Sequence, residues 1–152
     1  MTRVAVALGS NLGDRESHLR SALAALASFI DQLRVSTFHD TAPVGVGPQP
    51  TFLNGAAVGE TSLAAKTLLD RLLAIEQDLG RERPFPGAPR TVDLDLILYD
   101  DAVIDEGPAL IVPHPRFRER RFVLEPLSEI APDWRDPVTG RTVEELLRAL
   151  TS

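Results

Sequence analysis

The chain has 152 residues, a formal net charge of −6 and no cysteine. Its length suits one domain, residues 1–152, large enough to bury about two-thirds of its unfolded surface. The missing cysteines exclude disulfides and thiolate metal sites, and the acidic total argues against a surface adapted to nucleic acid. No apolar run approaches about 18 residues and the N-terminus lacks a signal pattern, so the expectation is a cytoplasmic protein without a membrane span.

Thr2–Leu8 reads as a short strand buried on both faces, followed by the turn Gly9-Ser-Asn-Leu-Gly-Asp14. Asp14 or Asn11 can cap the next helix, whose apolar face is Leu19, Leu23, Leu26 and Ile30 within His18 to Phe29. The turn lacks the P-loop and dinucleotide spacings and reads as structural. Gln32 to His39 alternates as a strand, and residues 41–50 form a Pro/Gly-rich connection long enough to be a binding loop. Thr51 to Thr61 resumes as a strand, with Phe52 and Asn54 on one face. An aromatic ring two residues from an amide can stack a flat heterocycle and read its edge. A core Phe beside a turn Asn is the simpler reading of that pair alone.

Ser62 to Leu79 has the strongest helical pattern, with Ser62 as the expected N-cap and Gly80 as the stop. The Pro/Gly-rich segment 81–90 carries Arg81, Arg83 and Arg90. It leads into Arg90-Thr-Val-Asp-Leu-Asp-Leu-Ile-Leu-Tyr99, which alternates as a strand. Leu94, Leu96 and Leu98 would then face a core. Asp93 and Asp95 would share the other face, with Cβ atoms roughly 6–7 Å apart by the strand rise. Two carboxylates so placed can hold one hard cation or two; taken alone, two solvated acids on an exposed sheet face is the favoured reading, and the company of the strand shifts it.

A hairpin-like segment Ala102–Asp105 follows, and then Val112-Pro-His-Pro115, where two prolines fix His114 in extended backbone. Arg116, Arg118, Arg120 and Arg121 with Phe117 and Phe122 make a basic cluster suited to a local anion site. Val123 to Ile130 reads as core-packing and Thr142 to Leu150 as a terminal helix. The order β-α-β, β-α-β predicts an α+β, ferredoxin-like βαββαβ sandwich: a mainly antiparallel sheet with helices packed on it and C-terminal additions. Paired acids, arginine-bearing loops and a histidine point to a Mg²⁺–polyphosphate site. A non-catalytic ligand-binding module on the same fold is the alternative, and an RNA-binding one lacks the aromatic strands it would need.

In order, these pieces resemble one family, the 6-hydroxymethyl-7,8-dihydropterin pyrophosphokinases of folate biosynthesis. They are Ala7-Leu-Gly-Ser-Asn-Leu-Gly-Asp14, Phe52-Leu-Asn-Gly55, Glu76 with Gly80-Arg-Glu-Arg83, Pro89-Arg-Thr-Val-Asp-Leu-Asp-Leu-Ile97, Val112-Pro-His114 and Arg120-Arg-Phe-Val-Leu-Glu-Pro-Leu127. The resemblance implies an ATP-dependent diphosphokinase that transfers the β,γ-diphosphate to the pterin hydroxymethyl oxygen and releases AMP. It implies two Mg²⁺ ions on Asp93 and Asp95, with Arg81 and Arg83 also catalytic. It implies ATP as co-substrate against Glu76, Arg81, Arg83, Arg90, Leu96, His114 and Arg120, and pterin against Thr41, Val44, Phe52, Asn54 and Phe122. The partners are small molecules, with no nucleic acid and no membrane, in a monomer or else a homodimer. The segment Phe85–Arg90 is shorter than the family's and lacks a central Arg and Trp, which leaves open whether Arg116 or Arg118 compensates.

Overall fold

The computed structural model describes residues 1–41, 51–80 and 91–151. In chain order the main elements are β1 (Thr2–Ser10), α1 (Arg15–Leu26), β2 (Asp31–Val35), β3 (His39–Thr41), β4 (Phe52–Thr61) and α2 (Ala65–Gly80). Then follow β5 (Asp93–Tyr99), β6 (Ile104–Glu106), β7 (Leu110–Val112), α3 (Arg121–Ile130) and α4 (Val143–Thr151). The main sheet runs β2-β4-β1-β5, with β3 on the same edge of β4 as β2, and every neighbour is antiparallel. This is the expected ferredoxin-like α+β arrangement. Among the described residues no helix is long and apolar enough to cross a membrane.

Two apolar layers sandwich the sheet. Leu19, Ala22 and Leu26 of α1 and Leu68, Leu72 and Ile75 of α2 meet Val4, Val6 and Leu8 on one face. Phe117, Val123, Leu124 and Leu127, with Val143 and Leu146 of α4, meet Ala5, Ala56 and Val58 on the other. The second layer covers only part of its face; where it stops, the polar end of the sheet is left open.

Several elements differ from the sequence reading, each for a local reason. β1 continues through Gly9 and Ser10 because both pair with β4. α1 begins at Arg15, three residues before the expected start, since the Asp14 side chain accepts the Ser17 N–H at 3.1 Å. Ser62 is not a cap: α2 starts at Ala65, and the Thr61 hydroxyl takes the Leu63 N–H. The strand expected over Gln32 to His39 is two strands. Ser36 stitches the break, its hydroxyl accepting the Ala56 N–H at 2.9 Å while its own N–H reaches the Ala56 carbonyl. The segment Ala102–Asp105 does not return along β5; β6 pairs with β7.

The largest correction concerns Leu98. Ala5 pairs with Leu98 but Val6 with Leu96, so Ile97 is an extra residue on β5. Such a bulge reverses the in-out alternation beyond it. Leu94 and Leu96 pack with α1 and α2, whereas Leu98 joins Ile97 against the α3 layer.

Asp136, without exposed surface, anchors the segment leading into α3. It accepts from the Arg118 guanidinium, the Thr139 hydroxyl and the Val138 N–H. Burial pushes its carboxyl up, but the bonds from Arg118, Thr139 and Val138 outweigh this and hold it at about 2 against a usual 3.8. A lowered folded value gives stability that is complete above about pH 4 and lost as pH falls toward about 2. Asp136→Ala should cost about 2–3 kcal/mol in urea unfolding at pH 7, and that difference should shrink below pH 4; equal stability of the two proteins at pH 7 would contradict this role.

Candidate active site

The register of the sheet sets one row of residues across four strands. Gly9 of β1 lies opposite Asp93 of β5 on one side and Asn54 of β4 on the other, and Asn54 lies opposite His39 of β3. Directly paired residues share a face, and adjacent strands are roughly 4.8 Å apart, so Asp93 and Asn54 stand about 10 Å apart across Gly9. In the next site-facing row of β1, Ala7 lies opposite Asp95. Glycine and alanine thus form the floor between an acidic strand and an amide-bearing one. Glycine is needed here: a Cβ on Gly9 would come within 2.9 Å of Asn54 Oδ1 and 3.7 Å of the Phe52 ring.

This floor opens into a cavity of about 850 Å³. On the amide side it is lined by Thr41, Phe52 and Asn54, and on the acidic side by Asp93 and Asp95. Asn54 is buried, and its Nδ2 donates to the Thr41 hydroxyl, so the orientation of the amide is set before a ligand arrives. The far wall is the segment from His114 to Val123, which contributes His114, Arg116, Glu119, Arg120, Arg121 and Phe122. The Arg120 guanidinium lies over the Phe122 ring, 5.5 Å from its centre.

The bulge in β5 places His114. Its N–H bonds the carbonyl of Ile97 at 3.0 Å, and a cis Val112–Pro113 peptide precedes it. His114 Nδ1 accepts the Arg116 N–H at 3.1 Å, which leaves Nε2 to carry the proton of the neutral ring. Burial pushes the imidazole below its ordinary value; Arg120 and Arg116 act in the same direction, against Asp95. At neutral pH His114 is therefore a neutral hydrogen-bond donor.

Eight of the residues assigned to metal, ATP or pterin on the resemblance line this one cavity: Thr41, Phe52, Asn54, Asp93, Asp95, His114, Arg120 and Phe122. Glu76 does not line it. It accepts the Leu94 N–H at 2.7 Å, tying α2 to the free edge of β5 one residue from each acid. The Leu96 side chain is packed in the apolar layer against α1 and α2. Val44, Arg81, Arg83 and Arg90 lie outside the described residues. Of the two arginines weighed as replacements for the shortened segment, Arg118 is engaged by buried Asp136, while Arg116 lines the cavity. Arg121, expected in the basic cluster, also lines it, and so does Gly9, which the sequence gave no role in the ligand site. Strand pairing is the signal that finds Gly9, and pairing partners are not written in a local pattern.

Asp93 and Asp95 offer hard oxygen donors, and among the described residues no group of three or more His, Cys, Asp or Glu could hold a metal by itself. Two carboxylates suit Mg²⁺, which keeps waters and substrate phosphates as its remaining ligands. They suit zinc poorly, since that metal favours His and Cys.

Comparison with known proteins agrees with this geometry. Residues 5–132 match the family described as 7,8-dihydro-6-hydroxymethylpterin-pyrophosphokinase (HPPK). The 2-amino-4-hydroxy-6-hydroxymethyldihydropteridine pyrophosphokinase of Synechocystis is 44% identical over 93% of this chain and 73% of its own length. That of Pseudomonas aeruginosa is 44% identical over 97% of this chain and 91% of its own. Among solved structures, an HPPK-DHPS in complex with substrates aligns with a TM-score of 0.75 at 12% identity, over 97% of this chain and 43% of that one. A Plasmodium falciparum HPPK-DHPS aligns with a TM-score of 0.73 at 13% identity, over 98% of this chain and 43% of that one. This chain thus spans less than half of those fused structures, and at such identity they share its fold. With the family match covering residues 5–132 and relatives 44% identical over nearly the whole chain, the chain belongs to the 7,8-dihydro-6-hydroxymethylpterin-pyrophosphokinase family.

Proposed function

We propose that this chain transfers the β,γ-diphosphate of ATP to the hydroxymethyl oxygen of 6-hydroxymethyl-7,8-dihydropterin; its relatives are named 2-amino-4-hydroxy-6-hydroxymethyldihydropteridine pyrophosphokinases. The observation that carries the reading is the row Asp93–Gly9–Asn54, with Phe122 on the facing wall of the cavity. It supports two half-sites on one sheet face. The pterin ring fits between Phe52 and Phe122, with its amide edge read by Asn54 and by the segment that begins at Thr41. The triphosphate fits over Asp93 and Asp95, beneath Arg116, Arg120 and His114.

In the reaction the pterin hydroxyl oxygen bonds to the β-phosphorus. The bond from that phosphorus to the α,β-bridging oxygen breaks, AMP leaves, and the hydroxyl proton is lost. The carboxylates of Asp93 and Asp95 would hold Mg²⁺, two ions on the family pattern, which supplies charge neutralisation at the transferring phosphates. Arg120 adds a permanent cation, and neutral His114 donates from Nε2 without competing for the metal's charge. Arg81, Arg83 and Arg90 are assigned to the triphosphate on the family resemblance alone. With the pterin hydroxyl as the nucleophile, catalysis here is positioning and electrostatic stabilisation.

Incubation with ATP, Mg²⁺ and the reduced pterin should yield AMP and pterin diphosphate, and AMP should form only when the pterin is present. ADP as the nucleotide product would overturn the reading. Two substitutions should separate the half-sites. Asp95→Asn should lower kcat at least about 100-fold with pterin binding retained. Gly9→Ala should raise the pterin KM about 10-fold and leave the ATP KM within about 2-fold, because the new methyl group displaces the Asn54 amide. Steady-state kinetics with each substrate varied in turn reads both; equal effects on the two substrates in either variant would contradict the division.

A further inference from the structure

The edge of the pterin half-site is fragile. β3 is three residues long and among the described residues pairs only with β4, yet its last residue, Thr41, holds the Asn54 amide. Beyond Thr41 the chain is next described at Thr51. A strand this short on a sheet edge does not hold its own register, since few ladder bonds and no second neighbour restrain it.

What restrains it comes from behind the sheet. Arg15, the first residue of α1, donates from Nη1 to Asp40 Oδ1 at 2.6 Å, to the Thr51 carbonyl at 2.8 Å and to the Thr51 hydroxyl at 2.9 Å. The Thr51 hydroxyl in turn donates to Asp40 Oδ1 at 2.9 Å. One guanidinium therefore grips both ends of the connection that separates β3 from β4. Its place is costly for the helix, because a cation at a helix N-terminus opposes the macrodipole. The contacts that justify it are tertiary. The side chain retains only 26% of its exposure, against 68% for Arg20 five residues later. The Asp40 carboxyl lies below its usual value, held there first by the Arg15 bond and then by Thr51, so the grip stays ionised through the neutral range.

We propose that Arg15 is a positioning residue for pterin recognition: by bonding Asp40 and Thr51 it keeps β3 in register, so that the Thr41 hydroxyl holds the Asn54 amide toward the ligand. The proposal rests on the pterin reading of the half-site above. Arg15 does not line the cavity and touches neither substrate position. Its effect belongs to recognition of the pterin edge and not to the phosphates, which sit two strands away. The planar fork matters as well as the charge, because Nη2 reaches Asp40 Oδ2 at 3.4 Å while Nη1 serves the other three oxygens, and a lysine ammonium in the place of Nη1 has no second nitrogen.

The test is steady-state kinetics of the parent, Arg15→Met, Arg15→Lys and Thr51→Val, with pterin and ATP titrated separately and melting temperatures recorded. Arg15→Met should raise the pterin KM about 10-fold and leave the ATP KM within about 2-fold. Arg15→Lys should recover part of the loss, and Thr51→Val should give a smaller shift of the same kind. Thr51→Val carries the test if Arg15→Met fails to fold. Unchanged pterin KM in the variants, or equal rises for both substrates, would overturn the proposal while leaving the enzymatic reading intact. A parent that makes no AMP would instead remove that reading, and the proposal with it.

Discussion

The spacing of neighbouring antiparallel strands governs this site. Hydrogen bonding fixes adjacent strands at roughly 4.8 Å, so two groups on strands either side of a third are held about 10 Å apart without any side chain bracing them. β1 is that third strand. It pairs with β4 and β5 at once, and its residues toward the open end of the sheet are small: Ala7 and Gly9. A larger residue at either position would fill the cavity between Asp93, Asp95 and Asn54. The row therefore provides both separation and room, and both come from backbone pairing.

Around that floor each further element solves a specific problem. The two acids of β5 repel each other, and cationic groups on the facing wall moderate the cost. The extra residue Ile97 turns the strand's polar face apolar, so that the same face which carries Asp93 and Asp95 continues into the α3 layer. It also frees a carbonyl that anchors His114 beside the acids. Glu76 closes the other side of β5 by accepting the N–H between the two aspartates. Asp136 secures the basic segment from below through Arg118. One arginine of the cluster is thus spent on structure while Arg116 and Arg120 face the cavity.

Much of this was legible in the sequence, and the parts that were not share a cause. The alternation of Asp93 and Asp95 with Leu94 and Leu96 is a local pattern of period two, and the fold honours it. Leu98 broke the pattern because a bulge is defined by the partner strand, which the local pattern does not contain. Ser62 misled because it sits where a cap would be but caps nothing, and the strand expected over Gln32 to His39 breaks where the Ser36 side chain completes the ladder. The role of Arg118 was hidden because its partner, Asp136, is 18 residues distant. Gly9 looked like turn chemistry, and only strand pairing reveals it as the gap between half-sites.

The central claim is geometric: Asp93 and Asp95, proposed to hold the metal, and Asn54, proposed to read the pterin, face one cavity, and the hydroxymethyl group would lie between them. Manganese can replace magnesium as a paramagnetic probe. With Mn²⁺, a non-hydrolysable ATP analogue and the pterin bound, nuclear relaxation of the pterin protons reads their distances from the metal. The account predicts strongest broadening at the hydroxymethyl protons and weakest at the ring edge that meets Asn54, with both effects lost in Asp93→Asn. Uniform broadening across the pterin, or a gradient in the reverse order, would contradict it.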